Sequence, residues 1–144
     1  MITIEIIGLD ALQKKFAQFP RQYEIAIGET MKAGLDTLTA SVPPYPVANP
    51  DSKYIRTVML GRSLGMERLR PDIYEMQIGA QFSQGTWGTR LEYAPYVIGE
   101  REQAEQHRGR WYTILTIADN ARPKIKRLFD RMAEKLAKWL DEQR

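Results

Sequence analysis

The chain predicts an α+β fold in which a small antiparallel sheet of three to four strands packs against two long helices. Three observations point there. Ile2, Ile4 and Ile6 alternate with Thr3 and Glu5, the period of a strand with one buried face. Tyr23, Ile27, Met31, Leu35 and Leu38 recur at three- and four-residue spacing, the period of one helix face. Ile125, Leu128, Phe129, Met132, Leu136, Trp139 and Leu140 recur the same way near the C-terminus. Neither helix is stable until its stripe is buried, so each is the natural partner of the other.

In chain order, Gly8 ends the first strand, and Leu9, Leu12 and Phe16 suit a short helix. Pro20 fits the first turn of the long helix, where a missing N–H costs nothing. Val42-Pro43 ends that helix, because the residue before proline is pushed out of the α region. Gly28 and Gly34 inside it suggest close approach of another backbone. Residues 43–53 hold four of the eight prolines and no apolar period, which predicts an exposed loop. A short helix or turn follows. Strands are expected at residues 66–69, 73–80 and 89–93, joined as a meander by hairpin-length links, with Trp87 at a glycine-rich loop tip. Tyr93-Ala94-Pro95-Tyr96-Val97 reads as a rigid corner that buries two tyrosine rings and reverses the chain. Residues 100–110 (EREQAEQHRGR) carry one apolar side chain, Ala104, and predict an extended or flexible arm. Trp111-Tyr112 returns to the core, and residues 113–121 suit a short helix with Ile114, Ile117 and Ala118 on one side. Asp119 or Asn120 caps a second helix of about 20 residues, with Pro123 near its start.

The totals narrow the function. With 144 residues, 43% apolar and 27% charged, the chain suits one domain with one core. No run approaches the roughly 18 apolar residues of a bilayer span, and the N-terminal residues lack a signal pattern. The absence of cysteine excludes disulfides and thiolate metal sites. One histidine, His107, lies in the polar arm and reads as a surface residue; a histidine pair for a metal is impossible. No nucleophile has a base beside it, no glycine loop of phosphate-binding pattern exists, and the paired acids of the arm lack a rigid frame. Catalytic, cofactor-binding and metal-ligating residues are therefore all expected to be none. The net charge of +3 is weak for a nucleic-acid binder, although the aromatics flanking the arm could stack on bases. Basic residues thicken toward the C-terminus but interleave with acids, as on a solvated helix face.

The order of features resembles the small neck and tail-completion proteins of long-tailed bacteriophages and prophages, the minor tail or head–tail joining proteins. Tyr93-Ala94-Pro95-Tyr96-Val97 is similar to that family's tyrosine–alanine–proline–tyrosine–valine signature. Leu60-Gly61-Arg62-Ser63-Leu64 is similar to its leucine–x–arginine–serine–aliphatic segment after a Pro-rich loop. The opening strand, Gly8-Leu9 and the two following helices carry the rest. The chain departs where Ile98-Gly99-Glu100 replaces an acid, an aromatic and a glycine, and where Val58-Met59 replaces threonine–glycine. The resemblance implies a non-catalytic virion protein, made in the host cytoplasm and assembled as a ring with itself and with neighbouring neck or tail proteins. No membrane partner is expected. The arm, with Arg101, Arg108 and Arg110, would reach across to a neighbour. The alternative is a nucleic-acid-binding module of a phage or prophage.

Overall fold

The structure is a computed structural model that describes residues 1–8, 18–47, 59–68, 70–79 and 83–143. The expected helix at residues 9–16 and the second half of the Pro-rich loop lie outside them. Three strands, β1 (Ile2–Gly8), β2 (Ile73–Ile78) and β3 (Ser83–Thr89), form an antiparallel sheet in the order β1-β3-β2. Among the described residues there are four α-helices, α1 (Pro20–Ala40), α2 (Met59–Ser63), α3 (Ala94–Ile98) and α4 (Ile114–Glu142). The architecture is α+β, as the stripes predict. Helix α1 lies across one face of the sheet, and α4 packs on α1 and on β1.

Pro20 occupies the first turn of α1, and Tyr23, Ile27, Met31, Leu35 and Leu38 are all buried. The helix stops at Ala40, where the Ser41 N–H and Oγ bond the carbonyls of Leu38 and Thr37. Tyr23 and Ile27 meet Met132 and Leu136, which joins the two helix stripes. Gly34 is tight against a side chain rather than a backbone, since a Cβ there would lie 2.9 Å from Ile6 Cδ1.

Three expected elements are different. Of the strand expected at residues 66–69, Met66–Arg68 instead form a 3-10 turn with Glu67 in the left-handed region at φ 61°, and residue 69 lies outside the described residues. Gly65, at φ 95°, reverses the chain before an extended run could start. The third strand lies at Ser83–Thr89 instead of 89–93 and is central, so the sheet is a β2–β3 hairpin with β1 added to its other side rather than a meander. Trp87 is thus no loop-tip residue. It is fully buried between Ile4 and Tyr74, with its Nε1–H donating to Thr39 Oγ1 at 3.0 Å. The glycines beside it serve close packing: Met31 Sδ and Leu35 lie over Gly85, and the β1 backbone lies against Gly88.

The C-terminal helices are one helix of 29 residues, about 43 Å long. It starts at a capping box of Thr113 and Thr116, not at Asp119 or Asn120. Ile114, Ile117, Ala121 and Ile125 continue the apolar stripe without a phase break, and Pro123 faces solvent inside it. Burial of that stripe outweighs the one backbone hydrogen bond the proline removes.

Candidate interaction surface

The tyrosine–proline corner is a one-turn helix, α3, with Pro95 at its second position, where the lost N–H is harmless. Ala94, Val97 and Ile98 are buried, Tyr93 is half-buried and Tyr96 is 60% exposed. The expectation that both rings are buried fails for Tyr96, because a single helical turn points it away from Ala94 and Val97.

The arm is not loose. It turns back on α3 and is held by backbone bonds: Ala104 N–H donates to the Tyr96 carbonyl at 2.6 Å, and Trp111 N–H to the His107 carbonyl at 2.9 Å. Gln103 is buried, and its Nε2 donates to the carbonyls of Val97 at 2.8 Å and Trp111 at 3.2 Å. That amide replaces apolar burial as the anchor, since it satisfies carbonyls that otherwise face the interior unpaired. His107, expected on the surface, is 8% exposed and meets Trp111 edge-on, ring centres 6.1 Å apart. Burial pushes its pKa below the usual value.

Trp111 in turn meets Tyr45 and Tyr112 in tilted ring contacts. The Tyr45 hydroxyl accepts the Gly61 N–H at 2.7 Å. The first half of the Pro-rich loop is therefore docked, not free. The Tyr112 hydroxyl is buried without a hydrogen-bond partner among the described residues, and burial raises its pKa.

The two sequence motifs meet. Leu60 and Leu64 from α2 and the following turn share one core with Ala94 and Val97 from α3. Ser63 reaches the same region through a polar latch. Its Oγ donates to the Leu60 carbonyl and accepts from Thr89 Oγ1, both at 2.7 Å, while the Arg90 N–H donates to Asp72 Oδ2 at 3.1 Å. Arg62 points outward and pairs with Glu67 at 2.9 Å. Arg101, Arg108 and Arg110 are exposed, with Arg108 Nε donating to the Gln103 carbonyl at 3.4 Å. Gln103, Thr89 and Asp72 carry this surface without any local sequence signal; their roles exist only once strand, turn and arm are side by side.

Among the described residues no three histidine, aspartate or glutamate side chains are grouped to hold a metal ion. None of the described helices is long and apolar enough to cross a membrane. The arrangement presents an exposed tyrosine and three exposed arginines on a braced turn. No family model, no curated protein and no solved structure matches the chain.

Proposed function

We propose that the chain is a structural subunit of a phage neck or tail end, acting in tail completion or head–tail joining and not in catalysis. The observation that carries this reading is the exposed Tyr96 with Arg101, Arg108 and Arg110 on a turn whose buried side is tied to the second motif. The resemblance of those two motifs to neck and tail-completion proteins supplies the class. In a ring, such a patch meets a different patch of the next subunit, or the rim of the adjoining ring. Because the turn is preformed, the contact carries little ordering cost, unlike that of a loose arm. The place of action is the virion, after synthesis in the host cytoplasm.

The test is particle assembly with Tyr96→Ser and Arg108→Glu in one chain. Tyr96 and Arg108 are exposed, so the variant should keep its circular dichroism and melting point. Heads and tails should then accumulate unjoined, with joining down by at least about tenfold, as expected for loss of an aromatic and an arginine anchor. A folded variant that yields normal infectious particles would overturn the reading.

A further inference from the structure

Away from that turn, α1 and α4 leave a mainly apolar groove of about 620 Å³, lined by Ala26, Ala33, Leu128, Met132, Leu136 and Trp139, with Gln22, Glu29 and Thr30 on its α1 wall. Ile25, also on its wall, is 52% exposed. Beside the groove runs a row of cations on α4: Lys124, Arg127, Arg131, Lys135 and Lys138, all exposed. Their spacing of three and four residues places them on one face, over about 21 Å of helix. Arg131 and Lys135 line the groove itself, so row and groove are continuous.

No member of this row is in a salt bridge among the described residues. By contrast, Arg122 and Lys126 pair with Asp119 and Asp130 at 2.7 and 2.8 Å. Helical periodicity puts Asp119, Asp130, Glu134 and Asp141 on the flank away from the groove, while Glu142 falls in line with the row one turn beyond Lys138 and Glu29 stands on the α1 wall of the groove. The interleaved acids of this helix thus lie mostly on that flank, and five cations against Glu142 and Glu29 leave the row and groove net positive. Like charges at three- and four-residue spacing destabilise a helix, and a bound anionic partner would relieve that cost.

We infer that this surface docks an acidic amphipathic helix of a partner protein. Its apolar side fills the groove and its carboxylates lie along the five cations, which is helix-in-groove recognition with charge setting the register. A nucleic-acid strand would use the cations and leave the groove empty, so the adjacency of the two favours a peptide. The surface is separate from Tyr96 and the arm, and the inference stands whichever assembly the chain serves.

The experiment uses the full chain and a fluorescein-labelled peptide of about 16 residues, enough to span the row, with leucines on one helix face and glutamates flanking them. A shuffled peptide of the same composition and a duplex DNA are run beside it. The ordered peptide should bind, shift the Trp139 emission and weaken with salt. The shuffled peptide should bind at least about tenfold more weakly. Arg131→Glu with Lys135→Glu should cost at least about tenfold. Ala33→Trp, which fills the groove without altering charge, should cost a similar factor and leave any DNA binding unchanged. The inference is overturned if the folded protein ignores the ordered peptide at about 100 μM, or if peptide order makes no difference. It is equally overturned if DNA binds more tightly than the peptide and the charge reversal removes it, or if the groove instead mediates a dimer that Ala33→Trp dissociates.

Discussion

Gly88 and Gly28 show how differently one residue type can be placed. A Cβ at Gly88 would collide with the Ile2 carbonyl oxygen and lie 2.9 Å from Thr3 Cα, so β1 would have to move off the sheet. Gly88→Ala should cost about 3 kcal/mol. At Gly28 the nearest neighbour is Ile78 Cγ1 at 4.0 Å and the backbone is helical, so Gly28→Ala should gain about 0.5–1 kcal/mol. Urea midpoints of the two variants check both signs. His107 gives a pH test at the same scale. Its folded pKa lies below the ordinary 6.5 because burial disfavours the imidazolium. Between the lowered value and about 6.5 the unfolded chain binds more protons than the folded one, so stability rises with pH there. The contribution is complete above that window and is lost as pH falls through the folded pKa. Urea unfolding at pH 5 and pH 7 should show the slope, and His107→Gln should flatten it. As the single histidine, its ring resonances report the folded pKa directly by NMR.

Among the elements, α4 tests how far packing overrides a local breaker. Pro123 sits well inside a helix whose apolar stripe runs unbroken from Ile114 to Leu140. It leaves one carbonyl in the preceding turn without its amide, and its ring crowds that turn. Pro123→Ala should therefore raise stability by about 1–3 kcal/mol and increase helical ellipticity; unchanged thermal unfolding would contradict this account. The same contest explains which elements could be read from the sequence. The stripe of α1, the alternation of β1 and the pairing of α1 with α4 were legible because large apolar side chains mark them at a fixed period. Strand β3 was not, because it buries small or polar residues, Ser83, Gly85, Gly88 and Thr89, with Gly85 under Met31 and Leu35 and Gly88 against the β1 backbone. The docked arm was not, because Gln103 and His107 are buried by hydrogen bonds and a ring contact whose partners lie elsewhere in the chain.

Across the whole molecule, the proposed contact face and the core are one construction. Leu60, Leu64, Ala94 and Val97 hold α2 and α3 together, and the arm closes over α3 through Gln103. Tyr96 and the arginines stand on the outside of that unit, so their loss should change assembly while leaving folding intact. The two motifs were legible as segments; that they converge, and that the arm is braced rather than reaching, depends on contacts between distant stretches. The placement of β3 between its neighbours has a temporal consequence. Ile2 pairs with Thr89, so on the ribosome β1 has no partner until synthesis has reached β3. Until then Ile2, Ile4 and Ile6 form an unsheltered, sticky ribbon, the kind of segment that invites mispairing between newborn polypeptides.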